Sequence, residues 1–397
     1  MNTRNPIRIL SFNLLVVSLG YGLVLPIIPF YIESLGAGGR ELGWLTAAYA
    51  FMQTICAPFW GILSDRIGRK PVLCVGMMGY AVTLFMFGLA TEFWVLFIAR
   101  TLSGILSSAT MAAAMAFIGD SASEKERSAG MGQLGAAMGV GVIIGPLVGG
   151  LLSANSLSLP FFVGAGVALM AFLLAIFVLP ESYFPQTAAD KKIRPAWNVL
   201  YKTFIGSTGI LLLLIFIMSL GQTGFQGIMG LYAIDKFSFD TKQVGALWMV
   251  MGGIFILGQG VLTGTLSKRF GEPPLILAGL GGSALGFFGM ALAVNYFTTL
   301  LALSIFTLSL ALAIPTLNAY LSSMAGEHQG TIMGLNSAAN SLGKVLGPLG
   351  AGYLYEMNIE YPYISGIGVS ILGLLVWVCG VRLDKLTNQN KKVENCE

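Results

Sequence analysis

Polar residues are sparse along this chain and gather in short links, and the apolar runs between them are about 20 residues long, the length a helix needs to cross a ~30 Å hydrocarbon core. The runs predict helices over 9–33, 42–63, 72–91, 93–118, 129–153, 159–180, 207–234, 243–265, 274–293, 297–324, 331–355 and 361–382. The expected fold class is therefore an all-α membrane protein with twelve transmembrane helices. The first run lacks a small-residue cleavage site and is followed by many more, so it reads as a retained helix and not a signal peptide.

Composition agrees with that pattern. Of the 397 residues, 55% are hydrophobic and only 10% charged, and the mean hydropathy is +0.79. A water-soluble surface cannot be built from so few charges, given about 25% in soluble domains. The 52 glycines exceed the usual share, as expected where helix backbones approach closely. Disordered, collagen-like and β-barrel readings are excluded.

The net charge of +4 does not indicate a nucleic-acid partner, because the basic residues form no patch or stripe. They follow topology. With both termini cytoplasmic, only Arg40, Lys236 and Lys242 fall outside, Arg100 and Lys344 lie inside apolar runs, and every other Lys and Arg is cytoplasmic. Cys56, Cys74, Cys379 and Cys396 show neither CxxC nor ligand spacing, so no metal, cofactor or disulfide framework is expected.

The polar stretch 181–206 divides the chain into an N-terminal six-helix bundle, 1–180, and a C-terminal bundle with a short cytoplasmic tail, 207–397. The two parts repeat. Gly145-Pro146 recurs as Gly347-Pro348, and Gly61-Ile62-Leu63-Ser64 as Gly264-Thr265-Leu266-Ser267, at one offset to within a residue. Two unrelated motifs at a common offset argue for duplication and for pseudo-symmetric bundles, with substrate between them near the midplane.

After the second helix comes Gly61-Ile62-Leu63-Ser64-Asp65-Arg66-Ile67-Gly68-Arg69-Lys70. Its glycines permit a tight turn, and Asp65 with Arg66, Arg69 and Lys70 supplies charge pairs that can break and reform as the bundles rock. A solvated basic loop is the plainer alternative. Helix five carries Gly132 and then Gly141, Gly145, Pro146, Gly149 and Gly150, a smooth small-residue face with a proline that removes a backbone hydrogen bond. Helix one contains Leu25-Pro26-Ile27-Ile28-Pro29.

These strings resemble three signatures of the major facilitator superfamily: the loop 2–3 motif, the antiporter motif of its drug:proton exporters, and the first-helix motif of its twelve-span branch. Phrases such as Lys125-Glu126-Arg127-Ser128 and Met324-Ala325-Gly326 before Gln329-Gly330 are similar to Gram-positive multidrug exporters. The resemblance implies the major facilitator fold and a monomeric, multi-pass exporter of the bacterial cytoplasmic membrane. Its partners would be protons, membrane lipid and a small amphipathic substrate. Arg100, with Gly104 one turn on, matches a helix-four motif whose arginine the family associates with proton transfer. On physical grounds an arginine at this depth costs about 2.5–3.5 kcal/mol on insertion scales, so it needs a partner, a wet cavity or a path to the headgroups.

One feature departs from those relatives. Every acidic residue falls in a loop or near a helix end, and the positions where the relatives carry acids in helices seven and ten register on Gln226 and Ala311. The coupling candidates are then Arg100, Lys344, Asp65, Asp120 and Glu33. Gln222 and Gln226 share a helix face, as do Asn336, Asn340 and Lys344. With Tyr21, Gln53, Gln259 and Asn318 these amides are candidates for lining a polar but uncharged cavity. The alternative for each is interhelical hydrogen bonding, worth about 0.6 kcal/mol on average. Tyr49, Trp60, Phe216 and Phe225 are candidates for stacking on substrate, and His328 reads as a surface residue.

Two further functional readings stand beside the exporter: export or flipping of a native lipid or metabolite, and a non-transporting receptor or scaffold. An enzyme would need an intramembrane His, a Cys pair or a carboxylate dyad, and the chain has none of these. Nor is there a Gly-rich nucleotide-binding loop.

Overall fold

The computed structural model describes residues 4–121, 124–181, 207–324 and 328–394, and its regular structure there is entirely helical. In chain order the helices are α1 (Arg4–Val24), α2 (Ile28–Ser34), α3 (Gly39–Ile67), α4 (Arg69–Leu89), α5 (Phe93–Ser121), α6 (Glu124–Ser153) and α7 (Leu159–Val178). They continue as α8 (Ser207–Phe237), α9 (Thr241–Leu257), α10 (Thr263–Phe270), α11 (Glu272–Leu292), α12 (Tyr296–Met324), α13 (Gln329–Met357) and α14 (Tyr361–Glu394). Ten helical segments are long and apolar enough to cross a membrane. The other two long helices, α3 and α13, have 29 residues each and are more polar, carrying Gln53, Asp65 and Arg66, and Asn336, Asn340 and Lys344. Phe177, Phe297 and Leu285 are 81%, 72% and 63% exposed, a surface suited to lipid and not to water.

Two expected helices differ from their sequence reading. The first is broken into α1 and α2, because Pro26 and Pro29 each lack an N–H, and Pro29 opens α2 at a first-turn position where none is needed. The eighth is longer than 243–265 and contains a π-helical turn, Gly258–Leu262, between α9 and α10. There the Thr263 hydroxyl donates to the carbonyls of Gly258 and of Ala311 in α12, at 2.9 and 3.0 Å. The stretch 182–206, the side chains of Lys125 to Ser128, Ala325-Gly326 and the Cys396 tail lie outside the described residues.

By backbone proximity the chain forms two compact units, Met1–Lys191 with Gly227–Gly253, and Lys192–Gln226 with Ile254–Glu397. In the first, α6 lies along α1 with backbone against backbone at three glycines. A Cβ on Gly141, Gly145 or Gly149 would stand 2.6–2.7 Å from the backbone carbonyls of Leu15, Leu19 and Leu23, and Pro146 packs over Gly22. The predicted smooth face is thus the α1 contact. Gly150 and Gly245 bring α6 equally close to the start of α9, where Thr241 donates to the Gly150 carbonyl at 3.1 Å. Gly132, the first glycine of the motif, meets nothing.

The second unit repeats this device. Gly343 and Gly347 of α13 press on Ser219, Leu220 and Gly224 of α8, and a Cβ on Gly347 would lie 2.5 Å from the Leu220 carbonyl. The same pairing is made by Gly145 with Leu19 and Gly22, so the duplication extends to the partner helix. Thr223 and Ser219 add hydrogen bonds to the Gly343 and Asn340 carbonyls, at 3.0 and 2.8 Å.

Because both contacts are backbone against backbone, Gly145→Leu and Gly347→Leu should each overpack the interface and cost about 1–3 kcal/mol. Gly132→Ala should be neutral or mildly stabilising, since it improves helix propensity at an open position. Thermal unfolding of the detergent-purified variants separates the cases. Equal melting temperatures for Gly132→Ala and Gly145→Leu would show that the glycine face does not hold α6 to α1.

Candidate functional site

The loop 2–3 motif folds as two helix ends joined by a single residue. Gly68, at φ +104° and ψ 163°, ends α3 and opens α4, a conformation L side chains rarely adopt. Arg69 follows at once and turns back into the unit, its side chain only 7% exposed. Its Nε donates to Asp120 Oδ2 of α5 at 2.7 Å, and its Nη1 donates to Asp65 of α3 and to Ser64 Oγ, the latter at 3.3 Å. One guanidinium therefore ties the ends of three helices together. Asp65 and Asp120 share that cation, whereas Arg66 is exposed and Lys70 half-buried.

A fourth helix joins through a residue the sequence reading did not single out. Glu181, just beyond α7, accepts from the backbone N–H of Arg69 at 2.9 Å and of Lys70 at 3.2 Å, a carboxylate on the free N-terminus of α4. A Cβ on Gly68 would stand 2.6 Å from Glu181 Oε2. The glycine is thus required twice, by its dihedral and by the carboxylate beside it. The available signal was a lone acid directly after an apolar run and a proline.

The degenerate repeat preserves the turn but not the charges. Gly271 stands at φ +81° and ψ 174° and opens α11 as Gly68 opens α4. Lys268 occupies the position of Asp65 and Glu272 that of Arg69, so the two signs are reversed, and Arg269, at the position of Arg66, lies over the Phe270 ring at 5.2 Å.

Arg100 is the second charged centre of the first unit. It is 4% exposed and does not reach outward; its guanidinium lies 4.3 Å from the centroid of the Tyr49 ring. Gly104 makes this possible, because a Cβ there would sit 2.6 Å from the Tyr49 carbonyl, so α3 and α5 approach only where it is absent. Tyr49 is fixed in turn: its hydroxyl lies 3.2 Å from Ser107 Oγ, accepts from Gln53 Nε2 at 3.2 Å, and its ring leans on Tyr21 with centroids 6.1 Å apart. A desolvated cation–π contact of this kind is worth about 2 kcal/mol, comparable to the insertion cost of the arginine.

In the second unit the predicted amides divide. Asn336 donates to Asn318 Oδ1 at 3.0 Å and Asn340 receives Ser219, so both serve helix packing. Gln222 borders a cavity of about 10 Å³ with Ser283 and Ser370, room for one water. Gln226 is half-buried at mid-helix in α8, and Gln259 is exposed on the π turn. Lys344 lies at mid-helix in α13 and is exposed beside the packed Gly343. Ala311 is fully buried, with its Cβ against the α-carbon side of Gly258, and leaves no space for a carboxylate. Of the aromatics proposed for substrate, Phe225 is a core residue, 2% exposed and stacked on Phe306 at 4.2 Å. Trp60 is held by its indole N–H on the Ile105 carbonyl at 2.7 Å. His328 is exposed, and no potential metal-binding group of His, Cys, Asp and Glu occurs among the described residues.

The profile of the Major Facilitator Superfamily matches residues 10–348 and 262–395. The chain belongs to the Major Facilitator Superfamily. It is 32% identical to the quinolone resistance protein NorA of Staphylococcus aureus (strain MSSA476) over 373 residues, 93% of this chain and 95% of that protein. It is also 32% identical to multidrug resistance protein 2 of Bacillus subtilis (strain 168) over 377 residues, 93% and 94% of the two chains. Among solved structures the nucleoside transporter NupG shares the fold with a TM-score of 0.74 at 18% identity, covering 96% of this chain and 99% of its own. A bacterial homologue of the human lysosomal transporter Spinster does so at 0.77 and 13% identity, covering 96% and 97%.

Two outcomes are expected at the charged ends. Glu181→Ala should cost about 1–2 kcal/mol by removing a charged acceptor from two amides, and Gly68→Ala should cost more. The double variant should cost less than the sum, because the clash partner is gone; strict additivity in a double-mutant cycle would contradict the contact. In α2, burial and then the neighbouring Asp235 push the Glu33 carboxyl above the usual carboxylate range. The folded state then binds this proton more readily than the unfolded chain, so stability is gained as pH falls through the raised value and lost as it rises. Glu33→Gln should flatten the difference in melting temperature between mildly acid and neutral pH.

Proposed function

We propose that this chain is a secondary active exporter of drugs or other small amphipathic compounds. It works by alternating access in exchange for protons across a bacterial cytoplasmic membrane. The proposed form is monomeric: twelve spans in two six-helix bundles, 1–180 and 207–397, joined by 181–206, with both termini cytoplasmic. The observation that carries the reading is the whole-length likeness to two proteins named for drug resistance, 32% identical over 93% of the chain. The Arg69, Asp65 and Asp120 network supports it mechanically. Ion pairs of this kind, one partner buried and one exposed, hold one of two arrangements and release the other, which is what a gate requires.

A second reading, export or flipping of a native lipid or metabolite, is favoured by the interior itself. Gln226 and Ala311 stand where multidrug relatives place acids, so recognition of cationic drugs has no carboxylate there to use. Proton movement would fall to Glu33, Asp65 or Asp120 near helix ends, or to Lys344 with Arg100.

Efflux in inside-out vesicles, with and without a pH gradient, tests the proposal for wild type, Asp65→Asn, Lys344→Met and Lys344→Arg. Gradient-dependent efflux by the wild type is expected, with a severalfold loss in Asp65→Asn at normal membrane abundance. Wild-type transport that ignores the gradient would remove the proton antiporter reading. Full gradient dependence in Lys344→Met would make Lys344 structural and leave the acids near helix ends to carry the proton.

A further inference from the structure

The second copy of the glycine turn carries two cations that no acid answers. Among the described residues neither Lys268 nor Arg269 makes an ion pair, and Glu272, the acid nearest in sequence, stands in the first turn of α11. In the first copy Arg69 is held by Asp65 and Asp120; here both cations border an open groove of about 520 Å³.

Two adjacent rows on α10 and the π-helical turn before it line that groove, Gly260, Gly264 and Lys268 in one and Val261, Thr265 and Arg269 in the other. A Cβ on Gly260 or Gly264 would meet nothing within 4 Å, so the first row is a bare trough, about 12 Å long from Gly260 to Lys268 by the helical rise. In the second row Val261 is exposed, and the Thr265 hydroxyl is spent on the Val261 carbonyl at 3.0 Å. The groove therefore offers no free polar side chain except the two cations, and they stand together at one end.

Its place selects the ligand. Lys268 and Arg269 are in the last turn of α10, at the end of the candidate span Thr241–Phe270, and Leu257, Val261 and Phe270 along that span are exposed. An apolar trough below two cations at a span end matches an amphiphile whose anionic head lies at headgroup depth. A small solute needs enclosure on most sides, which this open face does not give. A phospholipid needs only one chain and its phosphate held, because the bilayer surrounds the rest.

We infer that this groove seats an anionic phospholipid, with one acyl chain along Gly260 and Gly264 and the phosphate between Lys268 and Arg269. Such binding goes beyond the export reading and is tested without transport.

Native mass spectrometry of the full-length, detergent-purified chain measures binding of dioleoyl phosphatidylglycerol and dioleoyl phosphatidylcholine, which share their acyl chains and differ in headgroup charge. Wild type should bind phosphatidylglycerol at least fivefold more tightly. Lys268→Gln combined with Arg269→Gln should bring that preference below twofold, and Lys268→Arg combined with Arg269→Lys should keep it. Gly264→Leu fills the trough at an open position, leaves both charges in place, and should weaken phosphatidylglycerol binding severalfold. Arg8→Gln, which removes an exposed cation on α1, should change neither affinity.

Equal affinity of wild type for the two lipids overturns the inference, as does a Gly264→Leu that binds phosphatidylglycerol like wild type, since surface charge alone would then suffice. So does an Arg8→Gln that loses the preference as fully as the double glutamine substitution. Displacement of phosphatidylglycerol by glycerol 1-phosphate at similar concentration would make the ligand a soluble phosphate. A lipid-independent dimer abolished by Gly264→Leu would make the occupant a second copy of this chain, and either result overturns the lipid assignment. If the double glutamine substitution does not fold, the Gly264→Leu measurement decides.

Discussion

Inside a bilayer, lipid tails are as apolar as leucine, so burying side chains does little to draw helices together, and close contact must come from packing and backbone approach. In this chain that approach depends on absent Cβ atoms. Gly141, Gly145 and Gly149 set α6 on the carbonyls of α1, and Gly343 and Gly347 set α13 on α8 in the same manner. Gly104 repeats the principle between α3 and α5, and with it decides where Tyr49 meets Arg100. The polar chemistry of the first unit is therefore a consequence of where side chains are missing. A methyl group at these positions would displace a helix before it disturbed any charge.

Duplication kept that packing and let the electrostatics diverge. Gly68 and Gly271 open α4 and α11 in nearly the same strained conformation, and both follow a Gly-x-Leu-Ser run. Around the first, a buried arginine binds two carboxylates and a third carboxylate caps the helix; around the second, Lys268 stands at the position of Asp65 and Glu272 at that of Arg69. The backbone demand is met by glycine alone, so it survives drift. The charge network needs four helix ends to supply matched partners at once, and it is present where Asp65, Asp120 and Glu181 all exist.

This difference explains what could be read from the chain. The helices were legible because membrane crossing imposes a length and a polarity on every run, and the motif glycines because their spacing marks one face. The break after Val24 was visible as two prolines, yet an apolar run gives no sign of where a helix stops inside it. Glu181 escaped notice because its partners are backbone N–H groups more than a hundred residues away, which no sequence pattern records. The amides were legible as stripes but not as roles: Asn336 and Asn340 are spent on Asn318 and Ser219, and Phe225 on Phe306, because a helix face does not say which neighbour it meets.

The positions of the charges constrain how any coupling can work. Glu33 lies in the short α2, and Asp65 and Asp120 belong to the turn around Arg69, so none of the three acids stands in the middle of a span. A carrier must meet both sides in turn and therefore has to lie in the interior. Away from the terminal turns, the candidate spans among the described residues hold one cation, Arg100, and no acid. Arg100 is buried against the Tyr49 ring and makes no ion pair among the described residues. Lys344, at mid-helix in α13, is exposed beside Gly343 instead. Away from its ends, the first unit thus sets its buried cation against an aromatic ring and not a carboxylate, in contrast to Arg69, which two carboxylates hold.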